Sequence, residues 1–228
     1  MNQILLCNMI FLSLSNSLAE TKMPMWQKPY SVDKNTILLS HLDRGPYARN
    51  KANPQKRGKI DKVTWKLKGK FRACLFFDGN SSLSFERLSW VYPARRIEMW
   101  IQADKPSIGP VVLYNEVESP GCNTLMLLRK DGTLVYQRWY CGKELDKVVT
   151  RKKISFKKWN HIAVEMFEKQ NEVKIILNGK QVVKGTAFVP GSTTFFSVGL
   201  GYIKEGIKYP GFKGKIDELR VSKIKRKK

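Results

Sequence analysis

Val173-Lys174-Ile175-Ile176-Leu177-Asn178-Gly179-Lys180-Gln181-Val182-Val183-Lys184 is the stretch on which the fold turns. β-Branched residues crowd both halves, and Asn178-Gly179 between them tolerates positive φ at both positions, as a two-residue type I′ hairpin requires. It predicts antiparallel strands over Val173–Leu177 and Gln181–Lys184. Lys130-Asp131-Gly132-Thr133 repeats the pattern. Taking Asp131 and Gly132 as a two-residue turn sets Lys130 opposite Thr133, Leu128 opposite Val135, Met126 opposite Gln137 and Thr124 opposite Trp139. One pair further out, Cys122 meets Cys141. Directly opposed residues lie within disulfide reach, so this register predicts a Cys122–Cys141 bridge. Closing a loop of about 20 residues, it would stabilise by ~3 kcal/mol in the chain-entropy model.

Outward from the hairpins, short runs rich in β-branched and aromatic residues recur between Gly, Pro, Asn and Asp. Strands are expected at Thr36–Leu42, Cys74–Phe77, Ser82–Phe85, Arg96–Gln102, Val111–Asn115, Thr124–Leu128, Thr133–Tyr140, Asn160–Phe167, Phe195–Leu200 and Gly214–Ser222. No run longer than a few residues has helical spacing. The fold class is all-β, a two-sheet antiparallel β-sandwich.

Three blocks then fall in a recognisable order: Trp159-Asn160-His161-Ile162-Ala163-Val164, the hairpin itself, and Phe212-Lys213-Gly214-Lys215-Ile216-Asp217-Glu218-Leu219-Arg220-Val221-Ser222. Upstream stand Thr36 to Asp43, Gly69-Lys70-Phe71 through Phe77-Asp78-Gly79, and Arg96 to Ile101. In this order the motifs resemble the laminin G-like jelly-roll domain of the concanavalin A-like lectin and glucanase superfamily. The resemblance spans roughly residues 35–222. It implies two packed sheets and a module that binds carbohydrate or protein at a loop rim or concave face. One departure is the unusually basic loop from Arg44 to Gly58, which alters what that surface binds.

The ends read differently. Residues 1–19 carry no charge and hold an apolar run, Ile4 to Leu14, too short to span a bilayer, before Ser17-Leu18-Ala19. This reads as a signal peptide, giving a secreted or periplasmic protein. Residues 20–34 read as a linker containing Trp26, residues 35–222 as the jelly roll, and residues 223–228 as a basic tail.

The net charge of +23 comes from 42 Lys and Arg against 19 Asp and Glu. It concentrates at Arg44–Lys70, Lys143–Lys158 and the tail. Such a field speaks to partners, not to fold. Anionic glycan, acidic cell-wall polymer and phospholipid headgroups are the partners it suits, beside the plainer reading of a solvated basic surface. Nucleic acid lacks any base-reading motif here.

Catalytic constellations are missing. His41 and His161 both occupy positions of the family pattern, no Gly-x-Ser-x-Gly elbow exists, and Cys74 reads as a small buried hydrophobe. Glycosidases on this fold carry alternating acids on one strand face. Asp217 and Glu218 are adjacent and should point to opposite faces, and Glu98 has no acidic residue two positions away. No enzyme activity is expected. The resemblance places the first and last strands side by side, which would bring Asp43 near Asp217 for a structural calcium. For ligands, Tyr136, Arg138 and Tyr140 alternate onto one face, where rings stack on sugars and Arg forks onto sulfate or carboxylate. The alternative for Tyr136 is the core. The expected function is a secreted binding module for carbohydrate or an anionic polymer. Protein-binding adhesion and a glycoside hydrolase on the same fold are the alternatives.

Overall fold

The computed structural model describes residues 27–43, 45, 47–86, 94–105, 107–115, 122–140, 143–191, 193, 195–204 and 207–224. The expected signal peptide, Trp26, Cys141 and the last four residues of the tail lie outside the described residues. Strands follow in order as β1 (Thr36–Ser40), β2 (Ala48–Arg49), β3 (Arg57–Asp61), β4 (Thr64–Lys66), β5 (Cys74–Asp78), β6 (Ser82–Glu86), β7 (Ala94–Ala103), β8 (Gly109–Asn115) and β9 (Cys122–Leu128). Then come β10 (Thr133–Tyr140), β11 (Lys143–Lys153), β12 (Asn160–Phe167), β13 (Glu172–Leu177), β14 (Lys180–Thr186), β15 (Phe195–Val198), β16 (Tyr202–Lys204), β17 (Ile207–Tyr209) and β18 (Lys213–Lys223).

One antiparallel sheet runs β14-β13-β12-β7-β18-β5-β4, with β1 also paired to β18, and the second runs β11-β10-β9-β8-β15-β6-β3-β2. Strands β16 and β17 form a separate ribbon. The protein is a two-sheet antiparallel sandwich of jelly-roll type. Alternation builds it: Ile97, Met99 and Ile101 of β7, Ile162 and Val164 of β12, and Ile175 of β13 meet Leu83 and Phe85 of β6, Met126 of β9 and Tyr136 of β10 in one core. Along one side β14 meets β11, where a Cβ on Gly185 would lie 2.8 Å from the Val148 side chain.

Asn178 and Gly179 adopt φ of 51° and 76° with Leu177 opposite Lys180, the expected two-residue turn. The other hairpin differs. Leu128 pairs with Leu134 and Cys122 with Tyr140, one residue out of the expected register. The loop there is three residues long. The Arg129 N–H donates to the Thr133 carbonyl, the Gly132 N–H to the Arg129 carbonyl, and Gly132 takes φ of 88°. This is a β-turn followed by a left-handed glycine. It is fixed by Asp131, whose carboxylate accepts from both the N–H and the hydroxyl of Thr133. The directly opposed cysteines on which the disulfide was expected are therefore not formed by this register.

Strand β18 organises the first sheet. Its first half pairs with β5 and its second half with β1, with Thr36 opposite Ser222, while β7 runs along its other side. Between Asp217 and Arg220 one extra residue bulges out, and Glu218 sits at φ of 54°. Ile216 and Leu219 both face the core, three residues apart instead of two. The bulge turns the Asp217 and Glu218 side chains to the same outer face, not to opposite faces as strict alternation requires.

Candidate functional site

Strand β1 and the β2–β3 turn lie against each other because of Asn50. This buried side chain accepts from the backbone N–H of Leu39 and of Ala52 and donates to the Ile37 carbonyl, while the Lys51 N–H donates to the Leu39 carbonyl. With Asn50 turned inward, its neighbours Arg49 and Lys51 turn outward. They line a cavity of ≈ 350 Å³ with Tyr47, Pro54 and Arg57. A second of ≈ 220 Å³ shares Tyr47, Arg49 and Lys51 and adds His41 and Asp43. A third of ≈ 210 Å³ shares His41 and Asp43 and adds Tyr30, Phe71, Arg72 and Glu218. Through these shared walls the three cavities adjoin in a row, here called the trough. The Arg57 guanidinium lies 4.3 Å from the centre of the Tyr47 ring and that of Arg49 lies 5.7 Å from it. Cation–π contacts thus hold both forks beside an aromatic face.

The floor of the trough is an ionic latch on the outer face of the first sheet. Glu218 accepts from the Tyr30 backbone N–H at 2.9 Å and from His41 Nδ1 at 2.8 Å. That hydrogen bond, with the charge of Glu218, raises the His41 pKa above its ordinary value. Asp217 accepts from the backbone N–H groups of Lys70, Phe71 and Glu218. Burial, and then the charge of Glu218, nevertheless push its carboxyl up to about 7 against those three donors. Beneath lies Glu98, held by Arg220 at 2.7 Å, Arg96 at 2.9 Å and His161 at 3.2 Å. Burial opposes its charge, but His161 and the two guanidinium groups bring it down to about 2. Tyr30 covers the cluster, with its ring edge-on to His161 and 4.4 Å from the Arg220 guanidinium. Phe71 stands edge-on to Trp100, and Lys70 lies 4.2 Å from the centre of that indole.

Residues 77–227, two-thirds of the chain, match the laminin G-type model described as concanavalin A-like lectin/glucanases superfamily. The chain belongs to this superfamily. Its fold is similar to domain 4 of AbnA, a GH43 extracellular arabinanase from Geobacillus stearothermophilus solved with arabinotriose, at 16% identity and a TM-score of 0.62. That likeness covers 83% of this chain and 92% of the other. The binding domain of botulinum neurotoxin DC, solved with rat synaptotagmin II, aligns at 10% identity and a TM-score of 0.61, covering 86% of this chain and 50% of the toxin domain. Mouse laminin α1 domains LG4-5 align at 18% identity and a TM-score of 0.51, over 64% of this chain and 41% of theirs. At these identities the likeness establishes the fold. A search of curated proteins finds no sequence match.

On this concanavalin A-like sandwich the residues expected to bind ligand divide. Tyr136 and Arg138 point inward, at 1% and 6% exposure. The Tyr136 hydroxyl donates to the Phe188 carbonyl, and Arg138 pairs with Asp146 at 3.0 Å and lies 4.1 Å from the Phe188 ring centre. Leu134 and Tyr136 set the core parity of β10, so the expected face is the inner one. Tyr140, at the strand's end, is exposed. The outward face carries Val135, Gln137 and Trp139. There Trp139 packs with Leu125, Leu127, Phe195 and Tyr209 of the ribbon, and its indole N–H is buried without a partner.

The calcium expectation does not fit the donors. Asp43 lines the trough, whereas Asp217 is buried under Lys70 and Phe71 with both oxygens already taken by backbone N–H groups, where a calcium ion would need those oxygens as ligands. Among the described residues no cluster of three or more His, Cys, Asp or Glu side chains is placed to hold a metal ion. Cys74 is buried and free, its thiol pushed up to about 11 by burial. Sequence reading selected Asp217 only as a calcium ligand and set Glu98 and Glu218 aside, and it did not select Tyr47, Arg49 or Arg57. Only the basic character of the loop from Arg44 to Gly58 signalled Tyr47, Arg49 and Arg57.

Proposed function

We propose that this chain is an extracellular, non-catalytic binding module whose ligand is an anionic glycan lying in the trough from Phe71 to Arg57. The observation that carries the reading is Tyr47 flanked by the guanidinium groups of Arg49 and Arg57, all three lining the same cavity of ≈ 350 Å³. An aromatic face stacks on a sugar ring, and guanidinium forks take a carboxylate or sulfate bidentately. The arabinotriose held by the arabinanase domain supports carbohydrate as the ligand class. The reading is non-catalytic because Asp217 and Glu218, though on one face, are occupied by backbone N–H groups and His41 and hold the chain's own segments in place. A general acid needs a free carboxyl in reach of the scissile bond.

Titration calorimetry with uronate-bearing, sulfated and neutral oligosaccharides at physiological salt tests this. Arg57→Ala should weaken binding of the anionic glycan about tenfold or more, at roughly 1.5–3 kcal/mol per charge-assisted hydrogen bond lost, and Tyr47→Ala should weaken it about two- to tenfold, at roughly 0.5–1.5 kcal/mol for the lost stacking. Binding of no glycan, or equal binding of every polyanion by wild type and both variants, overturns the proposal.

A protein partner is the second reading. Tyr140, Leu145 and Phe188, three of the exposed large hydrophobics among the described residues, gather where β10 turns toward β11. The Phe188 N–H donates to Asp146 there. Capture of a protein by wild type but not by Leu145→Asp would favour this surface.

A further inference from the structure

One end of the sandwich concentrates cations that the trough does not use. The β9–β10 turn supplies Arg129 and Lys130, the end of β11 supplies Arg151, Lys152 and Lys153, and the following loop supplies Lys157 and Lys158, all exposed. These three segments form one surface. Lys153 pairs with Thr133, and the Ile154 N–H donates to the Gly132 carbonyl at 2.9 Å. A Cβ on Gly132 would also lie 3.3 Å from the Phe156 ring. Within residues 129–133 and 151–158 the sole acid is Asp131, and it is engaged by Thr133 and by Lys153 at 3.8 Å. The remaining charge has no counterpart in these segments.

We infer that this end docks on the surface of a bilayer rich in anionic phospholipid. Two features separate it from the trough. Its residues line none of the trough's cavities, so loop tips are presented where the trough presents a groove. Its cations are mostly lysines, compact hydrated charges suited to a diffuse layer of phosphate headgroups, whereas the trough sets arginine forks beside an aromatic ring. Ile154 is buried and Phe156 half-buried behind the lysines, so no large apolar side chain in these segments is exposed for insertion into acyl chains. The association is electrostatic and lies at the headgroup level. Its strength falls with salt over a Debye length of about 8–10 Å.

Co-sedimentation of the full chain with vesicles of phosphatidylcholine alone, and with 30 mol% phosphatidylserine, tests the inference. Binding to the anionic vesicles only, lost on raising salt from about 0.1 M to 0.5 M, and lost in Lys152→Glu/Lys153→Glu/Lys157→Glu/Lys158→Glu at unchanged melting temperature, is expected. The variant Arg49→Ala/Arg57→Ala should bind vesicles like wild type, which separates failure of this inference from failure of the glycan reading. Equal binding to both vesicle types, retention by the quadruple variant, or a basic end that holds soluble heparin but no vesicle overturns it.

Discussion

Asp217 shows how one residue constrains the site. Each carboxylate oxygen faces backbone N–H donors, so Asp217→Asn must aim an amide NH₂ at one of them. A buried donor facing a donor costs about 1–3 kcal/mol, and chemical denaturation should show a loss of that size. Asp217 and His41 both have folded pKa values above their unfolded ones, so their contribution is full below the unfolded values and fades as pH rises through the folded ones. Glu98, held near 2, works oppositely and loses its contribution only in acid. Melting temperature should therefore peak at about pH 4–5, where Glu98 is ionised in both states and Asp217 is still protonated in the fold, and should fall as pH rises to about 7, with His41 extending the fall above neutrality. A flat or rising profile there refutes the latch electrostatics. This latch was hidden from sequence reading because period-two alternation places Asp217 and Glu218 apart, and only a residue at φ of 54° reunites them. Tyr47 was hidden differently. A lone aromatic in a basic loop gains meaning only when Asn50 folds that loop back onto β1.

At the level of elements, turns decided what was legible. Asn178-Gly179 specified its hairpin because both residues adopt positive φ. Asp131-Gly132 did not, because the Asp131 carboxylate bonds forward to Thr133 and leaves only Gly132 left-handed. A loop of three residues instead of two shifts the register by one. Gly132→Ala should cost about 1–2 kcal/mol from the left-handed backbone alone, with Ile154 crowded as well, since the added Cβ would lie 3.2 Å from its carbonyl oxygen. Equilibrium unfolding measures this, and no loss of stability would contradict the turn geometry. Strand β11 escaped sequence reading altogether. In Lys143–Lys153 only Val148 and Thr150 are buried, and the charges that mask its alternation are those that keep an edge strand from pairing with another chain. The central strands β7 and β12, largely buried on both faces, announced themselves by their apolar and aromatic stretches, Met99-Trp100-Ile101 and Ile162-Ala163-Val164.

For the whole molecule, the pairing of β1 with β18 has a mechanical meaning. Residue 36 lies opposite residue 222, and the Lys223 N–H donates to the Asn35 carbonyl, so the two ends of the described sandwich leave side by side. Antiparallel ladder bonds run across the strands. Opposed forces applied at residues 35 and 223 would therefore load these bonds singly, from the end inward, as a zip is drawn, and never several at once in shear. Force spectroscopy with handles at those positions should find β1 peeling away at low force before the rest of the sandwich yields. Because Tyr30 hangs from Glu218 and His41 sits just past β1, the same tug would dismantle the floor of the trough. Tension on the chain would then act as a release signal for whatever the trough holds.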